Sequence, residues 1–242
     1  MVLQDKIIEP TWVSKDGQVV LYCADCLDVL PTLTGIDAVV TDPPYGIDYK
    51  PKRSLSKCHK WQSQQPFQPV ISDDAPFDPI PVLALKCPTV MWGGHHYADK
   101  LPVSGGWLVW DKRRSGTISQ GFIASDADLA WTNAGNTVRV FALMWAGLCR
   151  DEEVGEHYHP TQKPVSLMVW CIKQVGAESM SVLDPFMGSG TTGVAAVRLG
   201  CRFVGIEISE TYFTIAKRRI QKELSQARLL PTQNKKAIQT RL

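Results

Sequence analysis

Short apolar, β-branched runs alternate along this chain with stretches whose apolar residues recur at helical spacing. Val19 to Tyr22 and Asp37 to Thr41 read as buried strands ended by turn or breaker residues, and Asp25 to Leu33 between them reads as a short helix. The second strand stops abruptly at Asp42-Pro43-Pro44-Tyr45-Gly46, because two prolines cannot donate to a sheet ladder. A polar loop rich in Lys, Gln and Pro follows, to about Pro81. Thr89 to Trp92, Trp107 to Trp110, Asp128 to Trp131 and Val138 to Met144 are further strand-like runs, with a helical segment at His95 to Leu101. Pro164 suits the first turn of a helix that carries Val165, Leu167, Met168, Cys171, Ile172 and Val175 on one face.

The clearest pattern comes near the C-terminus. Ser181 to Asp184 reads as a strand, Gly188 to Gly193 as a tight turn, Val194 to Leu199 as a helix and Arg202 to Glu207 as the next strand. Ser209 suits the N-cap of a last helix with Phe213, Ile215, Ala216, Ile220 and Leu224 as its apolar stripe. Strands alternating with helices predict an α/β, Rossmann-like fold, with a mainly parallel sheet covered on both faces. No internal repeat is evident.

Composition narrows the class. A chain of 242 residues, 44% hydrophobic and 21% charged, has material for one large core, which excludes a disordered or fibrous protein. No apolar run reaches the length of a membrane helix, and the start lacks a basic segment followed by an apolar one, so the expected location is the cytoplasm, without a membrane partner. Seven scattered cysteines, an odd number, are expected to be reduced. Cys23 and Cys26 have the spacing of half a zinc site, but no second pair lies at ligand spacing, so no metal is expected.

The formal charge of +2 hides an asymmetry: from Lys217 onward there are eight basic residues and one acid. Lys50, Lys52, Arg53, Lys57 and Lys60 form a second basic cluster in a stretch with no acid between Asp48 and Asp73, and Lys112, Arg113 and Arg114 a third. Such patches suit a polyanion, because neutralised phosphates release counterions; a solvated loop or tail is the competing reading.

The turn from Gly188 to Gly193 spells G-x-G-x-x-G, where a ligand approaches the backbone, and Glu207 ends the following strand, where a carboxylate accepts hydrogen bonds from ribose hydroxyls. The turn lacks the Lys-Ser or Lys-Thr pair of a phosphate-binding loop, which argues against phosphoryl transfer. Only 58 residues follow Asp184, too few for the rest of a two-halved dinucleotide fold, so upstream chain must complete the sheet and a dehydrogenase is disfavoured. Upstream, the prolines of Asp42-Pro43-Pro44-Tyr45 fix a rigid turn at a strand end. The Asp42 carboxylate and the Pro43 carbonyl are placed to accept both N–H bonds of a planar amino group. Tyr45 is placed to stack on its ring. The tryptophans at 92, 107, 110, 131 and 145 read as core rather than base-stacking.

Thr41 to Tyr45, His159-Pro160-Thr161-Gln162-Lys163-Pro164 and Asp184-Pro185-Phe186-Met187-Gly188-Ser189-Gly190-Thr191-Thr192, in that order, resemble the DNA amino-methyltransferases that use S-adenosylmethionine. The catalytic motif precedes the glycine motif, which is similar to their permuted, beta-class branch. The resemblance implies a seven-stranded methyltransferase sheet and one domain over residues 1–230. Residues 19–45 would form the catalytic half, 46–158 strands with inserted DNA-recognition loops, 159–224 the cofactor half, and 225–242 a basic tail.

The resemblance also implies site roles. Asp42, Pro43, Pro44 and Tyr45 would be catalytic. Asp184, Pro185, Phe186, Gly188, Gly190 and Thr191 would hold the cofactor, with Asp42 touching its methionine moiety and Glu207 its ribose. Asp25 and Cys26 match the adenine-contacting motif, and His159, Thr161 and Lys163 would close over the ligand. Lys50, Lys52, Arg53, Lys57, Lys60, Arg113 and Arg114 would contact double-stranded DNA. Asp at position 42 favours N6 of adenine over N4 of cytosine. Methylation of RNA adenine or a protein glutamine, and an idle DNA-binding relative, are the alternatives. Such enzymes often dimerise and often serve restriction-modification, but no interface signature is evident, and neither a homodimer nor a nuclease partner is specified by the sequence.

Overall fold

A computed structural model describes residues 8–49, 71–103, 106–113, 125–146, 149–153, 158–159 and 161–229. Lys50, Lys52, Arg53, Lys57, Lys60 and Arg114 lie outside the described residues, as does the chain beyond 229. In chain order the elements are β1 (Trp12–Val13), β2 (Val19–Cys23), α1 (Cys26–Val29), β3 (Ala38–Thr41), α2 (Ile80–Leu83), β4 (Thr89–Trp92), β5 (Gly106–Asp111), β6 (Ala127–Thr132), β7 (Val138–Ala142), β8 (Trp145–Ala146), β9 (Cys149–Arg150), α3 (Val165–Gln174), β10 (Ser181–Asp184), α4 (Thr191–Arg198), β11 (Arg202–Glu207) and α5 (Glu210–Leu229).

Among the described residues nine strands form one sheet in the order β1-β2-β11-β10-β3-β4-β6-β5-β7, and β8 pairs with β9 in a separate ribbon. The seven strands expected from the family resemblance therefore become nine, because Trp12–Val13 pairs antiparallel on the edge of β2 and Val138–Ala142 adds beyond β5. From β2 through β11, β10 and β3 to β4 every pairing is parallel, while β6 runs antiparallel to both β4 and β5. Parallel strands bury both faces, and the side-chain alternation shows it: Ala38, Val40, Val90, Trp92 and Val182 enter one core, Val39, Met91 and Leu183 the other.

The first core is closed by α3, α4 and α5. Leu167, Met168, Val169, Cys171 and Ile172 of α3 are fully buried, each large apolar side chain contributing about 1.5–3 kcal/mol. Gly193 lies inside α4, where a Cβ would meet Ile220 and Phe203 at 2.5 and 2.7 Å, so its role is close helix packing. α4 thus begins at Thr191, three residues before the expected start. Pro164 is the N-cap of α3 rather than part of its first turn. Residues 95–101 form two 3-10 turns, Gly94–His96 and Ala98–Lys100, instead of a helix, since Gly93 enters at φ +72 and the Tyr97 hydroxyl is drawn back to the Trp92 carbonyl. α5 runs to Leu229, so the tail expected from 225 begins inside a helix. Among the described residues no helix is long and apolar enough to cross a membrane.

Candidate active site

The C-terminal ends of β2, β11, β10, β3 and β4 lie along one edge of the sheet, the edge at which open α/β sheets bind ligands. A cavity of about 530 Å³ opens there. Asp25 and Cys26 line it from the end of β2, Glu207, Ile208 and Ser209 from the end of β11, and Pro185, Phe186 and Gly188 from the turn after β10. Asp42, Pro43, Pro44 and Tyr45 follow after β3, with His95 and His96 after β4. His159, Thr161, Gln162 and Lys163 close one side. Three residues expected in the cofactor site do not line the cavity: Asp184 and Gly190 pack beneath it, and Thr191 faces Arg219.

Asp184 instead binds the two motif-bearing turns together. Its Oδ1 accepts from the Thr41 hydroxyl at 2.6 Å and from the Phe186 amide, and its Oδ2 accepts from the Thr192 hydroxyl at 2.6 Å. Burial, only partly offset by these donors, pushes its carboxyl up to about 6. Glu207 accepts from the Gly188 and Ser209 amides, both at 2.8 Å, while burial raises its pKa. The Asp25 carboxylate caps α1 by accepting from the Leu27 amide, and burial pushes the Cys26 thiol up to about 12.

At the other end Lys163 Nζ lies 2.6 Å from Asp42 Oδ2, and the Tyr45 hydroxyl, 3.1 Å from the same ammonium, donates to Asp42 Oδ1. Burial, with the Asp42 charge beside it, holds the Tyr45 phenol well above its ordinary range. The ring of Tyr45 stacks on His96, with centroids 5.0 Å apart at 19°, so one of its faces is already covered. Asp128, at the start of β6, reaches the same end because that strand runs antiparallel; its Oδ1 accepts from Lys112 at 2.7 Å and its Oδ2 is 4.0 Å from Lys163. Burial alone would raise the pKa of Asp128, but Lys163 and Lys112 hold it below the usual carboxylate range. Trp110 and Trp145, expected in the core, also line this end of the cavity.

Sequence reading missed three anchoring residues. Asp73 accepts from the amides of Tyr45, Gly46 and Tyr49 at 2.7–2.9 Å and so clamps the turn that carries the prolines. Arg219 on α5 donates to the Ser189 carbonyl at 2.7 Å and to Thr191, pinning the glycine turn from below. Glu153 accepts from the Gln162 side chain and the Val165 amide, tying down the segment that carries Lys163. None has a local signal, since each partner is fixed only by the fold. Arg113 forms a two-pronged pair with Asp111 at 2.9 and 2.8 Å, so its charge is partly compensated.

Residues 126–218 match the family model for DNA methylase of the N6/N4 methyltransferase type. Over 81 residues the chain is 46% identical to the type II methyltransferase M2.DpnII of Streptococcus pneumoniae, a match spanning 33% of this chain and 30% of the length of that relative. The fold is similar to that of the M1.HpyAVI–SAM complex, with a TM-score of 0.52 and 23% identity over 83% of this chain and 99% of the other. It is likewise similar to PvuII DNA methyltransferase, described as cytosine-N4-specific, with a TM-score of 0.56 and 14% identity over 96% of this chain and 94% of the other. The methyltransferase-like fold and the resemblance to amino-methyltransferases expected from the three motifs thus stand.

Proposed function

We propose that this chain, whose residues 126–218 match the DNA methylase family model, transfers a methyl group from S-adenosylmethionine to the exocyclic amino group of a base in double-stranded DNA, N6 of adenine in the first instance. The single observation that carries the reading is that Asp42, after β3, and Glu207, at the end of β11, line one cavity with β10 between their strands. The permuted motif order belongs to the same proposal.

The residues present fit the cofactor. The Glu207 carboxylate, its orientation set by two backbone amides, faces the cavity between Gly188 and Ser209, as a ribose diol requires. Phe186, Pro185, Ile208 and Tyr212 surround it with apolar surface suited to a purine, beside Asp25 and Cys26. Gly188 adopts φ +50, and its open α-carbon faces His159, leaving backbone exposed to a ligand. When bound, S-adenosylmethionine supplies an electrophilic methyl group on a positively charged sulfur.

The rest is the work of the chain. An exocyclic amino nitrogen is a weak nucleophile because its lone pair is delocalised into the ring. Asp42 and the Pro43 carbonyl would accept its two N–H bonds and localise that lone pair, so much of the catalysis is positioning; the new N–C bond replaces the methyl donor's C–S bond, and the nitrogen releases its surplus proton to water. Asp42 is held by Tyr45 and Lys163, one on each oxygen, and its remaining lone pairs can accept from the amino group. The base reaches the cavity by leaving the helix stack, a cost that stacking and hydrogen bonds offset. Lys50, Lys52, Arg53, Lys57 and Lys60, directly after the catalytic turn, are the proposed phosphate contacts.

The test is transfer of labelled methyl from S-adenosylmethionine to unmethylated duplex DNA, followed by digestion to nucleosides and mass spectrometry. N6-methyladenine is the expected product. N4-methylcytosine would reverse the base and keep the chemistry, and no label in any DNA would overturn the reading.

A further inference from the structure

We infer that Asp128 is a positioning residue that receives the Lys163 ammonium when the target amino group takes its place on Asp42, an inference that rests on the methyl-transfer reading above. One buried ammonium stands between two carboxylates: its nitrogen is 2.6 Å from Asp42 Oδ2 and 4.0 Å from Asp128 Oδ2. The first contact is a formed ion pair. The second is an acceptor held just out of reach, because the other oxygen of Asp128 is already bonded to Lys112 at 2.7 Å.

Each oxygen of Asp42 has one donor, and a partner that stays weakens the carboxylate as an acceptor for an incoming N–H, so the partner able to move decides how much of its charge the amino group receives. Tyr45 is the poor candidate. Its ring stacks on His96, Gly93 packs so closely that a Cβ there would fall 2.0 Å from a ring carbon, and Asp73 holds its backbone amide. Lys163 has a four-carbon stem with rotatable bonds and can swing its head group without moving its backbone. It is only 7% exposed, so it cannot retreat into water, and a buried charge left without a partner is strongly disfavoured. Closing the gap to Asp128 from 4.0 Å to a charge-assisted bond of about 2.8 Å satisfies it.

Among the described residues the charged or titratable groups facing Asp128 are Lys112, Lys163 and His95, and the first two hold its carboxyl below the usual carboxylate range. Lys112 stays on Oδ1 throughout, and Oδ2 is the receiving seat. The exchange frees Asp42 from a competing cation at the moment when its negative charge is needed to polarise the amino group.

The experiment compares Asp128→Asn, Asp128→Glu, Lys163→Met and the double variant Asp128→Asn/Lys163→Met with the unmodified chain, in steady-state methyl transfer to duplex DNA and in cofactor binding by calorimetry. Asp128→Asn is expected to lower kcat by up to about 100-fold, as for a reacting group held roughly 1 Å from its working position. KM for DNA and the cofactor Kd are expected to stay within about twofold, which also shows that the variant folds. Asp128→Glu recovers most of the rate. The double variant is no slower than Lys163→Met alone, since Asp128 acts only through the lysine. An unchanged kcat in Asp128→Asn, multiplying losses in the double variant, or a loss confined to cofactor affinity would each overturn the exchange while methyl transfer by the unmodified chain stands. No transfer by the unmodified chain would overturn both readings together.

Discussion

The hydroxyl of Thr41 donates to the carboxylate of Asp184 over 2.6 Å, joining residues 143 positions apart in the chain. Thr41 ends β3 immediately before the double-proline turn, and Asp184 ends β10 immediately before the glycine turn. The other oxygen of Asp184 accepts from Thr192 in the first turn of α4. One buried carboxylate therefore sets the spacing between the two turns that wall the cavity, and neither can shift without breaking a charge-assisted or buried hydrogen bond.

This linkage carries a pH dependence. The folded protein holds Asp184 near a pKa of about 6, above the roughly 3.9 of an unfolded aspartate, so folding favours its protonated form. The stability contributed is fully present below about pH 4 and is lost as pH rises through about 6. Asp184→Asn is expected to remove this slope, so that the difference in Tm between variant and parent changes steadily across that window. A constant difference would show that Asp184 does not titrate there.

Asp42→Ala is expected to reduce methyl transfer by at least about 100-fold, the scale associated with a group that activates the reacting nitrogen. Cofactor affinity, measured by calorimetry, should be largely intact, because Glu207 and the glycine turn line the cavity from β11 and β10 rather than from β3. Complete loss of cofactor binding would move the main role of Asp42 into the cofactor pocket.

Asp73→Ala removes the acceptor of the Tyr45, Gly46 and Tyr49 amides and should cost about 1–3 kcal/mol of stability. The same three amides should exchange with deuterium faster than those of β3. Asp73→Asn keeps an acceptor for Tyr45 and Gly46 but not for Tyr49, so its effect should be intermediate. Equal protection in Asp73→Ala and the parent would contradict the clamp.

Glu207→Gln turns one acceptor oxygen into a donor facing the Gly188 or Ser209 amide. Cofactor affinity is expected to fall by about tenfold or more, roughly 1.4 kcal/mol, while the salt dependence of DNA binding stays the same. A changed salt slope with unaltered cofactor affinity would assign Glu207 to the DNA side.

The strands β2, β3, β4, β10 and β11 were legible because they are short β-branched runs punctuated by Pro, Gly and Asp, and those signals act within a few residues. The two reactive turns were legible for the same reason, since proline and glycine restrict the backbone wherever they stand. The extent of the glycine turn was not. Gly190 at φ +80 ends it, and the hydroxyls of Thr191 and Thr192 are satisfied by Arg219 and Asp184, which lets the helix start at once. No local pattern encodes either partner.

By itself the sequence determined an α/β sheet with two ligand-facing turns and the chemistry of the side chains on them. Only the tertiary structure decided that Lys163 would sit on Asp42, 121 residues away, with Asp128 Oδ2 at 4.0 Å, that Asp73 would clamp the proline turn, and that His96 would cover one face of Tyr45. The reason is physical. Backbone preference and hydrophobic period are local properties of a chain, whereas an ion pair or a ring stack depends on which strands lie side by side and in which direction, and the reversed direction of β6 is what brings Asp128 to the site.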